Sequence, residues 1–149
     1  MLQNLFLTRT RAWWMALILL SASLWGCGDE EEEDAVVIEP DLTAVDQDLP
    51  APEIDRVVIT TVVAATNGFV AVYADASGAP GELLGASFVR VGTNVDVIVG
   101  LGRDGVDGER LFARLHEDSN GDNEFDENDD DIAQNDDGEV VESFTISVP

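Results

Sequence analysis

The chain has 149 residues, with Lys+Arg 7 against Asp+Glu 31 and a formal charge of −24. That balance argues against nucleic-acid binding, whose phosphate contacts need Lys and Arg, and against electrostatic docking on anionic lipid. A hydrophobic share of 45% argues against a wholly disordered chain, and the length suits one small domain with appendages.

At the N-terminus, Arg9 and Arg11, with no acid, precede an uncharged run from Ala12 to Trp25. The run has 14 residues, short of the roughly 20 that a spanning helix needs, so it reads as the apolar core of a signal helix. The arginines lie on the side that stays cytoplasmic. The run closes in Leu24-Trp25-Gly26-Cys27. This resembles the bacterial lipoprotein signal, the lipobox, in which a Leu, two mostly small residues and a Cys end the apolar core. Trp25 stands where a small residue is usual. The resemblance implies a diacylglyceryl group on the Cys27 thiol and cleavage that leaves Cys27 first in the mature chain. Lipid would then hold the protein to the outer or cytoplasmic membrane, with its domain outside the cytoplasm. Each buried methylene contributes about 0.8 kcal/mol, and two or three chains give stable anchoring. An ordinary secretory signal with a chance Cys, or an uncleaved anchor, is the alternative. Cys27 is the only cysteine, so its acylation leaves a domain without disulfides in an oxidising compartment.

Three segments follow from this: a signal over 1–26, an acylated Cys with a disordered acidic linker over 27–53, and a domain over 54–149. The linker opens with the unbroken acidic block Asp29–Asp34 and continues with Pro40, Pro50 and Pro52 among scattered acids. Like charges repel and prolines stiffen, so the segment reads as a solvated spacer. Ala35-Val-Val-Ile38 also suits an early strand.

From Ile54 the texture is β. Val57–Val63 is rich in β-branched residues, and Asn67-Gly68 is a strong turn signal. Phe69–Tyr73 is the next strand, and Leu83–Val91 a third with a break at Gly85. After a turn at Gly92-Thr-Asn94, the alternation of Val95, Val97, Val99 and Leu101 places them on one face. Gly102–Gly108 is a loop. In the strand from Arg110 to His116, Leu111, Ala113 and Leu115 point inward. A long acidic loop, 117–138, precedes the last strand, Val140–Val148, whose buried face the pattern leaves open. Six or seven short strands with Gly-containing turns predict an all-β, small antiparallel immunoglobulin-like β-sandwich, with a small barrel as the alternative.

A series of residues in this domain resembles a secreted β-domain of unknown function, frequent in haloarchaeal surface glycoproteins and found in bacterial envelope proteins and lipoproteins. It is carried by Gly68-Phe-Val-Ala-Val-Tyr-Ala-Asp75, Gly78-Ala-Pro-Gly81, Leu84-Gly85-Ala-Ser87, Gly92-Thr-Asn-Val-Asp-Val97, Leu111–Asp118, Asn120-Gly-Asp-Asn-Glu-Phe125 and Val140–Phe144. The resemblance implies a β fold and a surface location, and no activity.

The sharpest chemical signal lies in the acidic loop. Oxygen-bearing side chains recur at alternate positions, and Asp118, Asn120, Asp122, Glu124, Asp126 and Asp129 fall where a calcium loop places its ligands, with Glu124 offering its carbonyl and Phe125 anchoring the loop in the core. Asn123 replaces the usual Gly, and Asp129 the longer Glu. Residues 117–142 hold 13 acids and no base, so a divalent ion would relieve the crowding. A solvated acidic loop is the competing reading. His116, the only His, cannot build a zinc site alone and is expected to be a hydrogen-bonded structural residue beside the loop.

No catalytic constellation stands out, so the expected function is a non-catalytic envelope lipoprotein with a structural or interaction role, its protein or glycan partner unnamed and calcium its only expected cofactor. The alternatives are a small-ligand or glycan-binding module, which exposed Tyr73 and Phe112 would favour, and a hydrolase using paired buried carboxylates.

Overall fold

A computed structural model describes residues 36–149. The signal, Cys27 and the acidic block therefore lie outside the described residues. Ten strands follow one another: β1 (Asp41–Thr43), β2 (Gln47–Asp48), β3 (Arg56–Ala64), β4 (Gly68–Asp75), β5 (Pro80–Val89), β6 (Gly92–Gly100), β7 (Glu109–Glu117), β8 (Gln134–Asn135), β9 (Gly138–Glu139) and β10 (Val141–Ser147). Among the described residues there is no helix. A three-stranded sheet has the order β1-β3-β6, a five-stranded sheet the order β2-β10-β7-β4-β5, and β8-β9 is a separate hairpin. Lettered in chain order, these are strands A, B and E of one sheet and A′, G, F, C and C′ of the other, with β2 as A′, the immunoglobulin-type arrangement without strand D. All pairs are antiparallel except β2 with β10.

The main core lies between the two sheets. Val57, Ile59 and Val62 of β3 and Val99 of β6 meet Val70 and Val72 of β4, Leu111, Ala113 and Leu115 of β7, and Phe144 and Ile146 of β10. The inward row of β7 is the predicted one, and in β10 the even positions Phe144 and Ile146 are the buried ones.

Two expectations are corrected. First, the fold starts well before residue 54. β1 pairs with β3 through Leu42↔Val62, and β2 pairs with β10 through Ile146↔Gln47. Leu42, Ala44 and Leu49 are buried. The Gln47 side-chain amide also ties the sheets together: it donates to the Val58 carbonyl at 3.1 Å and accepts the Val58 N–H at 2.8 Å. The acids of this stretch looked like spacer charge, yet Asp46 accepts the Thr145 N–H at 2.7 Å. The Val36–Ile38 stretch is not a strand, and Val36 and Val37 are each 88% exposed. Second, Val95 leaves the inward row and is 66% exposed, because Asp96 takes a φ of 50° and turns the strand there. The inward parity of the facing β3 shifts at the same place, from Val57 and Ile59 to Val62 and Ala64.

β5 runs on through Gly85, where the expected break is a register shift against β4 from Val72↔Gly85 to Tyr73↔Leu83, and this glycine is needed for a close approach. A Cβ there would stand 1.8 Å from the Gly100 carbonyl oxygen of β6. Beside it, the Ser87 hydroxyl donates to the Ile98 carbonyl at 2.7 Å. β5 and β6 thus close one side of the sandwich. Gly85→Ala should lower stability by about 1–3 kcal/mol through forced backbone shifts. Urea unfolding checks this, and an unchanged midpoint would mean that the two strands do not approach in this way.

Candidate functional site

Cross-strand partners share a face of a sheet. The pairs Phe69↔His116, Ala71↔Arg114 and Tyr73↔Phe112, with Phe69↔Phe88 and Ala71↔Ala86, therefore define the outer face of the five-stranded sheet. This face would meet water, but the loop between β7 and β8 folds back over it. Phe125 of that loop packs on Phe69, with centroids 5.5 Å apart, and edge-on against the His116 ring at 5.0 Å. Phe88 completes the row against Phe69 at 5.5 Å. Phe125 anchors the loop, as expected, but on this outer cluster rather than in the core between the sheets.

Beneath the loop, His116 is 2% and Tyr73 1% exposed. The Tyr73 hydroxyl lies 3.0 Å from His116 Nε2, and His116 Nδ1 lies 3.2 Å from the Asp130 carbonyl oxygen. A carbonyl only accepts, so Nδ1 carries the proton and Nε2 accepts from Tyr73. Burial pushes the His116 imidazole below its usual value; the Asp130 carbonyl pulls the other way, and the Arg114 guanidinium pushes it further down. Burial raises the Tyr73 phenol well above its ordinary range, helped by the neighbouring Glu127 carboxylate. His116 is thus the hydrogen-bonded structural residue anticipated from the sequence. Its partner Tyr73 lies 43 residues away and had no sequence signal beyond its place in a strand. Tyr73 and Phe112 are both buried, so neither offers an exposed ring to a ligand.

The six anticipated calcium ligands all lie in this loop, where the side-chain oxygens of four of them accept backbone amides. Asp118 takes the Gly121 and Asn123 N–H groups at 2.8 and 3.2 Å. Asn120 takes that of Asp122 at 2.9 Å, Asp122 that of Glu124 at 2.8 Å, and Asp126 that of Asn128 at 2.8 Å. The Asn128 N–H holds the Asp126 carboxyl below the usual range. Asn123 adopts a φ of 61°, the left-handed conformation that Asn tolerates. Glu124 and Asp129 are exposed. Among the described residues, no three His, Cys, Asp or Glu side chains converge as a metal-binding group. These short-range turns space the carboxylates along the loop.

Asp130 was not singled out in the sequence, because nothing distinguishes it from its acidic neighbours there. It is 4% exposed, and its Oδ2 accepts the Asp126 N–H at 2.9 Å. Its Oδ1 and Arg114 Nε are buried without a hydrogen-bond partner among the described residues.

A family model described as a domain of unknown function (DUF7282) matches residues 40–147. The match begins at Pro40, the first buried residue of the described chain. None of the curated proteins and none of the solved structures gives a significant match.

The sign of the pH dependence follows from His116. Its folded value lies below the ordinary 6.5, so near and below that pH the unfolded chain binds more protons than the folded one. The contribution is fully present above about 6.5 and is lost as the pH falls toward the folded value. Urea midpoints measured from pH 8 to 5 should fall in the wild type more steeply than in His116→Gln. Parallel curves would contradict a buried neutral imidazole.

Proposed function

We propose that this chain, which belongs to the DUF7282 family of domains of unknown function, is a cell-envelope lipoprotein with a structural or interaction role at the surface. A lipid on Cys27 anchors it, and the domain stands outside the cytoplasm. The anchor is supported by the place of the only cysteine, directly after Leu24-Trp25-Gly26 at the end of the uncharged run. The surface role is carried by one observation. Residues 117–131 hold nine acids, and among the described residues none of them lies in an ion pair with an arginine. In immunoglobulin-type variable domains the F–G loop is one of those used for recognition, an analogy of fold alone. A basic protein surface complements such a loop. Calcium enters this proposal as a stabilising counter-ion of the loop.

A second reading, a small-ligand or glycan-binding module, draws on an open cleft of about 500 Å³ lined by residues including Val37, Ile38, Pro40, Gln134 and Asn135. The burial of Tyr73 and Phe112 removes the rings that would stack on a sugar, so the first reading is preferred. Carboxylate-dependent hydrolysis needs two facing carboxylates, and among the described residues Asp130 is the one buried acid.

Two measurements test this reading. Cells fed radioactive palmitate should label the wild type and not Cys27→Ala; equal labelling would refute the anchor. Millimolar calcium at constant ionic strength should raise the melting temperature, by about 4 °C or more for each kcal/mol of binding free energy. An unmoved melting temperature would remove calcium from the account.

A further inference from the structure

The loop over the outer face is organised as a unit of its own. Its acids and Asn120 cap its own amides, and its neck is closed by the Glu117 N–H on the Asp131 carbonyl at 2.8 Å and the Asp118 N–H on the Asn67 carbonyl at 3.0 Å. Beyond the neck, three contacts hold it to the sheet, one of them the Glu127 carboxylate beside the Tyr73 hydroxyl. Phe125 is the only apolar side chain between Glu117 and Asp131, and His116 Nδ1 donates to the Asp130 carbonyl. The arginines of the face below are committed elsewhere, Arg110 to Asp75 at 3.1 Å and Arg114 to Glu139 at 3.2 Å. The closed state also has two built-in costs: nine like charges in 117–131 are crowded together with none in an ion pair among the described residues, and Asp130 Oδ1 and Arg114 Nε are buried without partners among those residues. Opening would hydrate both atoms and spread the charges. A buried unpaired polar atom favours the hydrated state, and exposed like charges repel less as salt shortens their reach.

We propose that residues 118–131 form a lid over the outer face of the five-stranded sheet, and that ionic strength sets its closure. At low salt, repulsion lifts the lid and bares the Phe69–Tyr73–His116 face. At high salt, Phe125 seats on that face and seals it. This inference does not depend on the lipid anchor.

His116 is the only histidine and lies under the lid, so its carbethoxylation by diethyl pyrocarbonate reports opening directly. The full chain is treated with the reagent at fixed pH, with a chelator present to separate salt screening from calcium binding. Rates are scaled to N-acetylhistidine and compared at about 0.01 M NaCl, where charges reach about 30 Å, and about 1 M, where they reach about 3 Å. Modification should be about tenfold faster or more at low salt, with the β-sheet circular dichroism unchanged. Phe125→Ala should react fast at both salts. The triple variant Asp122→Asn, Glu124→Gln and Asp129→Asn, which alters only exposed acids, should react slowly at both. Equal rates in the wild type would overturn the proposal, as would undiminished salt dependence in the triple variant. Exposure that appears only with loss of the β-sheet signal would overturn it too.

Discussion

A strand buried on both faces needs apolar cover on both sides, and β4 is such a strand. Gly68 to Tyr73 are six consecutive buried residues. Their inner side chains, Val70 and Val72, are covered by the three-stranded sheet, as in any sandwich. Their outer side chains, Phe69, Ala71 and Tyr73, are flanked by side chains of the neighbouring strands such as Phe88 and Leu83, and the acidic loop brings a single aromatic ring to complete the cover. The Phe125 contact with Phe69 and His116 is therefore the interaction on which the outer half of the structure rests. It keeps water from Tyr73 and His116 and makes their mutual hydrogen bond a buried one.

The magnitudes on the two sides of this contact are similar. Burying a Phe side chain contributes about 1.5–3 kcal/mol, and each hydrogen bond about 1 kcal/mol net. Against this, two like charges about 8 Å apart repel by about 0.5 kcal/mol in water before screening, and nine acids make many such pairs. The domain lessens the problem by giving its acids backbone work. Asp46 holds the edge of β10, Asp107 accepts the Val148 N–H at 3.1 Å, and Asp75 accepts that of Gly78 at 2.8 Å, which with Arg110 keeps its carboxyl below the usual range. Much of the acidity serves as hydrogen-bond acceptance at strand ends and turns, where a carboxylate is a strong acceptor. In the loop the same capping leaves the charges themselves without a cation, since among the described residues no arginine pairs with an acid of 117–131.

The six long strands were legible from β-branched runs and turn residues, and the inward row of β7 from simple alternation. His116 was assigned correctly because its parity opposes Leu115 and the acidic run begins just after it. β1 and β2 were missed for a physical reason. Leu42, Ala44 and Leu49 are too sparse to show a period, and their acidic neighbours look like spacer charge until Gln47 and Asp46 are seen bonding Val58 and Thr145. Val95 was misplaced because periodicity assumes extended backbone, which Asp96 does not have. In the loop, the alternating oxygens were visible, but whether such oxygens face an ion or their own backbone depends on local turns. Those turns span only two to five residues, and composition does not reveal them.

The docked ring is the claim most directly open to measurement. The chain has one histidine, so the His116 ring protons can be assigned without ambiguity. A nuclear Overhauser spectrum at high salt should show cross-peaks from the Phe125 ring to both the His116 and Phe69 rings. Their absence, with the β4–β7 ladder intact, would show that the loop does not cover the sheet and would contradict the account of the outer face.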